Sequence, residues 1–330
     1  MQGHDLPLLN GWQRGFPLCA APFDVLGQAL GRSSSDVIAT CQRLRDAGVL
    51  GRIGAVFAPG AGGAGLLAAM AVPPERLEAV AAFVSSHTGV NHNYERENAF
   101  NLWFVVTAAD ADALEHVLRG IEKDTGLAVL RLPMLQPYRI DLGFDLARST
   151  AAAGPATRAT TAPVQPHATG LAALAEQGLP LVARPFDAWA RDLQWSQRDV
   201  LDTLARWLAQ GTLSRFGMVV RHHEMGYTAN AMTVFDVADG AVDACGEALA
   251  RQAGITLAYR RARGPGWPYN LYCMVHGQKR EEVLALIAQA AQSAGIAHLP
   301  RQVLFSLRRF TQRGPRRFAL PEMRAIHAAA

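Results

Sequence analysis

Two hydrophobic periods alternate along the chain. In "SSSDVIATCQRLRDAG" (33–48), Val37, Ile38, Cys41 and Leu44 recur at helical spacing. Ser34 or Ser35 stands where a cap is needed and Gly48 ends the run. The pattern then switches to the strand-like "VLGRIGAVF" (49–57), and a proline-led helical run, "APFDVLGQALG" (21–31), precedes both. Helix, turn, helix and strand in this order predict a winged helix-turn-helix. Beyond it, "GLLAAMAV" reads as a strand, "PERLEAVAAFVSSH" as a helix, and "VNHNYERENAFNLWFVV" (90–106) as two strands. "ADALEHVLRGIEKDTG" reads as a second helix and "AVLRLPMLQPYRIDLGF" as extended chain. That succession is β-α-β-β-α-β, the ferredoxin-like order. It predicts helices on one face of a sheet and an open face for a ligand or partner.

The whole pattern occurs twice. "GFPLCAAPFD" at 15 returns as "GLPLVARPFD" at 178, and "SDVIATCQRLRDAGVLGRIGAVF" at 35 as "RDVLDTLARWLAQGTLSRFGMVV" at 198, each 163 residues on. "YERENAFNLWFVV" (94–106) returns with a longer loop as "YRRARGPGWPYNLYCMV" (259–275). Between the copies, 147–169 is rich in Ala, Thr and Pro and reads as a flexible linker. The expected organisation is therefore α+β, a tandem duplication. The first copy is 1–146 (helix-turn-helix 1–58, ferredoxin-like 59–146). The second is 170–330 (helix-turn-helix 170–220, ferredoxin-like 221–330).

Parity singles out one stretch. His92, Tyr94 and Arg96 are spaced two apart and share a strand face. On the next strand Leu102, Phe104 and Val106 share one face, and Asn101 and Trp103 the other. The apolar trio is expected to pack on helices, and the His/Tyr/Arg face to open to a ligand or to be a polar hairpin. In copy two Tyr259, Arg261 and Asn270 align with Tyr94, Arg96 and Asn101, while Leu257 stands where copy one has His92. Arg260 and Arg263 add charge. Asn270, Tyr272, Met274 and His276 alternate on one face, and Trp267 is placed either to stack on a flat ligand or to pack a loop. "VVRHHEMGYTANAM" brings Arg221, His222 and His223. Adjacent histidines on a strand point opposite ways and do not chelate one metal. The matching "APGAGGAGLLAAM" of copy one is either a mobile lid or a long turn. The basic "RRFTQRGPRRF" (308–318) is either a clamp for carboxylates, an interface or a solvated tail.

Composition narrows the class. The sequence is 50% hydrophobic and 18% charged with net charge +4, as in a globular protein. No apolar run is long enough to span a membrane and the first residues lack a signal-peptide pattern, so a cytoplasmic location is expected. The four cysteines form no CxxC pair and predict neither a structural metal site nor a disulfide framework. Lys123 and Lys279 are the only lysines; arginine dominates, and its planar fork suits carboxylates.

The architecture resembles the Lrp/AsnC regulators. "HNYERENAFNLWF" and "YRRARGPGWPYNLYCMVHG", with the "GFPL…PF" openings and "LGRIGAVF", resemble the siroheme decarboxylases. The tandem arrangement resembles their fused NirD–NirL form of d1-type haem biosynthesis. This resemblance implies removal of CO2 from the C12 and C18 acetates of siroheme to give 12,18-didecarboxysiroheme. It implies no cofactor beyond the substrate's own iron. The ligands would be siroheme and its product, and the partners paralogous decarboxylase subunits or a second copy. On that reading His92, Tyr94, Arg96, Tyr259 and Arg261 are the catalytic candidates. Asn101, Trp103, Arg221, His222, His223, Arg260, Arg263, Trp267, Asn270 and His276 are the substrate-binding ones, and His92 is the first candidate proton donor. The competing readings are a tetrapyrrole-responsive DNA-binding regulator and a non-catalytic tetrapyrrole carrier. The candidate recognition helices, 34–46 and 197–210, balance arginines with aspartates and do not predict phosphate tracking.

Overall fold

In the computed structural model the first copy begins with α1 (Asp5–Gly11), α2 (Pro22–Leu30), α3 (Ser34–Asp46) and β1 (Leu50–Phe57). It continues with β2 (Ala64–Met70), α4 (Leu77–Ser86), β3 (Val90–Arg96), β4 (Leu102–Ala108), α5 (Ala111–Thr125) and β5 (Leu130–Ile140). The second copy has α6 (Thr169–Gln177), α7 (Pro185–Leu193), α8 (Gln197–Ala209) and β6 (Leu213–Val220). After them come β7 (Ala229–Phe235), α9 (Val242–Ala250), β8 (Ile255–Arg261), β9 (Leu271–Gly277), α10 (Arg280–Ser293) and β10 (Arg301–Gln312). The structure describes residues 5–140, 161–221, 226 and 228–318.

The caps explain where the helices start. Ser33, one residue ahead of the expected serines, has extended backbone, and its Oγ accepts the Asp36 N–H at 3.1 Å; Ser34 is already helical. Ser196 does the same for Asp199 at 3.1 Å, opening α8. Gly48 follows α3 at φ 75°, a left-handed position that suits glycine.

Compactness follows kind rather than copy. The two helix-turn-helix parts and residues 316–318 form one compact unit, and the two sheet parts form the other. In the first unit β1 and β6 pair antiparallel as a two-stranded sheet, with Gly54 opposite Gly217. A Cβ on Gly54 would lie 2.6 Å from the Ala175 carbonyl, so the helix after the linker can approach only a glycine. Phe16, Phe23, Phe186, Trp189 and Phe216 form an aromatic core around this ribbon. The last residues read as linker are held: Val164 N–H donates to Ala61 O at 2.7 Å, and Thr212 Oγ1 donates to Ala162 O at 2.7 Å. Gly62, in the segment read as lid or turn, lies against the Phe318 ring, which packs on Phe57 at 4.8 Å. Buried Glu176 accepts the N–H groups of Arg317 and Phe318.

The second unit differs from two separate open-faced sheets. Its eight strands close into a barrel in the order β10-β3-β4-β2-β5-β8-β9-β7. The last strand of each copy is long enough to pair twice. Leu130–Pro133 of β5 pair with β2, and Met134–Ile140 pair with β8 of the other copy. β10 likewise pairs with β7 through Arg301–Phe305 and with β3 through Ser306–Gln312. Each switch of partner is marked by a register shift next to an exposed leucine, Leu135 or Leu307. The helices cover the outside. Leu102, Phe104 and Val106 pack with α4 and α5 as parity predicted, and Leu271, Cys273 and Val275 pack with α9 and α10. The opposite faces of the two sheets meet inside the barrel in a core of Leu67, Ala69, Trp103, Leu130, Leu132, Met232, Val234, Tyr259, Trp267, Tyr272 and Leu304. Closure leaves no sheet edge to template aggregation. The face of each sheet opposite its helices becomes barrel interior.

The basic stretch 308–318 is no solvated tail. Arg308 is paired with Glu95 at 2.6 Å and Glu78 at 2.8 Å. The Arg313 guanidinium donates to Ser85 O at 2.8 Å and His87 O at 2.5 Å, satisfying carbonyls at the end of α4.

Candidate active site

Ladder partners share a sheet face, so the barrel register fixes which side chains point inward. Tyr94 pairs with Trp103 and His92 with Val105. Ser306, Arg309 and Gln312 of β10 pair with Arg96, Tyr94 and His92 in turn. Across the barrel Tyr259 pairs with Tyr272, and Leu257 with Met274, while His276 pairs with Asn230. His92, Tyr94, Arg96, Tyr259, Arg261 and His276 are thus brought to one interior surface, as their alternation required. Asn93 points the other way and donates to Ala81 O at 3.1 Å on α4.

The two arginines are the main electrostatic feature. Arg96 Nη1 donates to Leu304 O at 3.0 Å and Arg261 Nη1 to Leu132 O at 2.6 Å, so each guanidinium ties its own copy to the last strand of the other. Arg261 lies over the rings of Tyr259 (4.6 Å) and Tyr272 (5.9 Å); Arg96 lies 5.7 Å from Tyr94. Both are buried, and among the described residues neither has a carboxylate within ion-pair distance. Burial holds the Arg96 pKa below its ordinary value. A buried cation without a counter-ion costs several kcal/mol, on the order of what an incoming carboxylate returns.

The imidazoles are oriented by neighbours. Asn91 Nδ2 donates to Thr107 Oγ1 at 3.0 Å, which leaves its Oδ1 to accept from His92 Nδ1 at 2.8 Å. This bond fixes the tautomer and the orientation of the His92 ring. The His92 and Tyr94 rings stack at 6.4 Å. Thr256 Oγ1 donates to Met274 O at 3.1 Å and accepts from His276 Nδ1 at 3.0 Å. Burial, and then the charge of Arg96, push the His276 pKa down to about 4, so this ring is neutral at pH 7.

Other expected ligand contacts have different tasks. The Asn101 amide is engaged on both edges by Val72 (2.9 and 2.8 Å), and the Asn270 amide by Val237 (3.0 and 2.9 Å). These are matched backbone clamps, not free ligand donors. Trp103 and Trp267 are buried 5.1 Å apart, with indole N–H groups given to Phe100 O (2.5 Å) and Tyr272 Oη (2.7 Å). Phe100 and Tyr269 also pack edge-on to Trp267, so it is core rather than a stacking platform. Arg260 points outward to Asp243 (3.7 Å) and Asp239 (3.9 Å), and Arg263 pairs with Asp236 (2.8 Å) and Asp239. Their charge is spent on the barrel exterior. Arg221 belongs to the helix-turn-helix unit, where its N–H donates to Val49 O at 2.9 Å. His222 and His223 lie outside the described residues. Asn230, Ser306, Arg309 and Gln312 were missed by sequence reasoning. β10 reads as a basic run, and only the repeat alignment with β5 gives its inward positions.

Among the described residues no group of three His, Cys, Asp or Glu side chains is arranged for a metal, and no helix is long and apolar enough to cross a membrane. On the helix-turn-helix unit Arg43 is committed to buried Asp5 at 2.6 Å, and Arg198 lies 3.4 Å from Asp202. These cations of α3 and α8 are already engaged within the protein.

The fold and its interior site define a tandem AsnC-like protein. The family described as AsnC-like ligand binding domain matches residues 61–139 and 224–311, and the siroheme decarboxylase NirDL-like HTH domain matches 5–50 and 171–213. The siroheme decarboxylase NirDL subunit of Paracoccus denitrificans (strain Pd 1222) is 41% identical over 315 residues, which is 95% of this chain and 97% of that protein. The siroheme decarboxylase of Hydrogenobacter thermophilus (strain DSM 6534 / IAM 12695 / TK-6) is 30% identical over 302 residues, 90% of each. A crystal structure of the siroheme decarboxylase NirDL in co-complex with an iron-uroporphyrin III analogue superposes with TM-score 0.68. It is 26% identical and covers 99% of both chains. The chain belongs to the siroheme decarboxylase family, in its fused NirDL form.

Proposed function

We propose that this chain is a carboxy-lyase that removes CO2 from the C12 and C18 acetates of siroheme, giving 12,18-didecarboxysiroheme, in the cytoplasm. The near full-length match to a fused relative carries this reading, because both halves of that relative are present here in one chain. The barrel interior supports it chemically. Siroheme is a polycarboxylate, and the buried Arg96 has no carboxylate partner among the described residues. In each turnover the bond between the acetate methylene and its carboxylate breaks. CO2 leaves, the electron pair passes into the conjugated macrocycle, and a proton returns to the methylene carbon to make a methyl group. Neither an oxidant nor a further cofactor is needed for that balance. Arg96 holds negative charge, the apolar wall of Trp103 and Leu304 disfavours it on the departing group, and His92 Nε2, backed by Asn91, delivers the proton. Tyr94 lies beside that ring.

The test is anaerobic incubation of the purified full chain with siroheme, followed by mass spectrometry of the tetrapyrrole. Loss of two CO2 units is expected. An unchanged mass with a bound siroheme spectrum would make the protein a carrier and overturn the reading. Tight, salt-sensitive and sequence-specific DNA binding in place of turnover would make it a regulator. Siroheme and its product are the proposed ligands, and a second copy or paralogous subunits the proposed partners. Activity of the chain alone, set against its mass in solution, decides whether partners are required.

A further inference from the structure

The barrel carries its own internal control. Arg96 and Arg261 are equivalent, each donating to the matching carbonyl of an exchanged strand. The strand pairings extend this equivalence. Ser306, Arg309 and Gln312 stand opposite Arg96, Tyr94 and His92, and Met134, Pro137 and Ile140 stand opposite Arg261, Tyr259 and Leu257. On the flanking strands Asn230 pairs with His276, where the other half pairs Gly65 with Thr107. Continuing the β7–β10 register by one residue from Phe305 and Ala231 sets Ser306 beside Asn230. One wall therefore runs His276, Asn230, Ser306, Arg96. Its equivalent runs Thr107, Gly65, Met134, Arg261.

The two walls treat their arginine differently. Arg261 has two aromatic faces within 6 Å and an apolar neighbour, Met134. Arg96 has one ring, at 5.7 Å, and a polar neighbour, Ser306; among the described residues each guanidinium gives one hydrogen bond, to Leu304 O or Leu132 O, and Arg261 Nε is buried without one. On the Arg96 wall, Ser306 Oγ and Asn230 Oδ1 are buried and have no hydrogen-bond partner among the described residues. Unsatisfied polar atoms beside a buried cation are destabilising unless something completes them. A carboxylate does so. It accepts from Arg96, from the Ser306 hydroxyl and, with the Asn230 amide turned to present its NH2, from Asn230. His276, neutral beside Arg96, completes the row without a competing negative charge.

We propose that Ser306 and Asn230, together with Arg96 and His276, form the seat for one carboxylate of the macrocyclic substrate, and that the equivalent Arg261 wall holds none. Ser306 and Asn230 are positioning residues: they fix which side chain of the macrocycle lies at Arg96 while proton transfer is left to His92. This rests on the decarboxylase reading for the identity of the substrate, but not for the existence of the seat.

The experiment uses the full chain and two probes, siroheme for turnover and iron-uroporphyrin III for binding by absorbance titration. Ser306→Ala and Asn230→Ala are each expected to raise the KM for siroheme and the Kd for iron-uroporphyrin III by about tenfold, the loss of one charge-assisted hydrogen bond. kcat is expected to stay within about threefold and the melting temperature to be unchanged. Ser306→Thr, which keeps the hydroxyl, restores most of the affinity. Met134→Leu on the other wall changes neither constant. Wild-type KM and Kd in both alanine variants would overturn the proposal, as would a Met134→Leu effect as large as theirs. If the wild type binds iron-uroporphyrin III but leaves siroheme intact, the decarboxylase reading fails, and the binding titrations alone decide the seat.

Discussion

The two halves of the barrel share a frame and differ in what the frame encloses. Tyr94 and Tyr259, Arg96 and Arg261, and Asn101 and Asn270 occupy equivalent places, and the arginines and asparagines make equivalent backbone contacts. Around them, one wall carries His92, Asn230, His276, Ser306, Arg309 and Gln312. The other carries Leu257, Gly65, Thr107, Met134, Pro137 and Ile140. Residues common to both halves therefore speak first for construction, and residues that differ speak for chemistry. The less polar wall completes the barrel and supplies a carbonyl, aromatic faces and core.

Several substitutions would break or sharpen this contrast. The largest effect is expected at His92. His92→Gln should lower kcat on siroheme by about a hundredfold to ten-thousandfold, the usual range for a lost general acid, with KM little changed. A kcat within threefold of wild type would remove His92 from proton delivery. Next come the paired arginines. Arg96→Gln should weaken iron-uroporphyrin III binding about a hundredfold, whereas Arg261→Gln should weaken it less than tenfold and act mainly on melting temperature. Equal losses would mean that both walls bind. The clamps should behave alike: Asn101→Ala and Asn270→Ala are each expected to cost about 2 kcal/mol in denaturant unfolding, because each strands backbone groups of Val72 or Val237.

The smallest effect is a pH dependence. The His276 pKa is about 4 in the folded protein and near 6.5 when unfolded. Below 6.5 the unfolded chain takes up a proton that the folded chain refuses. This contribution is complete at neutral pH and is lost as pH falls toward 4. Between pH 7 and pH 5 the wild type should lose about 2 kcal/mol more than His276→Gln. Parallel curves for the two proteins would show that His276 titrates freely.

Much of this architecture was legible in the sequence, for physical reasons that also mark where legibility stops. Helical and strand periods gave the order of the elements, and the repeat gave the duplication. Parity put Leu102, Phe104 and Val106 on the helices and His92, Tyr94 and Arg96 on the opposite face. Parity also separates Arg261 from its neighbour Arg260, which faces outward to Asp243 and Asp239. Counting both as ligand contacts ignored that separation. Strand exchange was not legible. The alternation of β5 and β10 specifies faces, but which strand they pair with past the shifts at Leu135 and Leu307 depends on tertiary closure. For that reason Arg309 and Gln312 read as part of a basic tail, and Ser306, just before it, was not singled out. Asn101 and Asn270 recur because both halves need the same clamp, and recurrence alone does not distinguish a clamp from a ligand contact.

The stoichiometry of tetrapyrrole binding tests the single-wall account most directly. Titration of the full chain with iron-uroporphyrin III should saturate at one macrocycle per chain, with that site weakened about a hundredfold by Arg96→Gln and less than tenfold by Arg261→Gln. Saturation at two per chain, each site removed by its own arginine, would contradict the account.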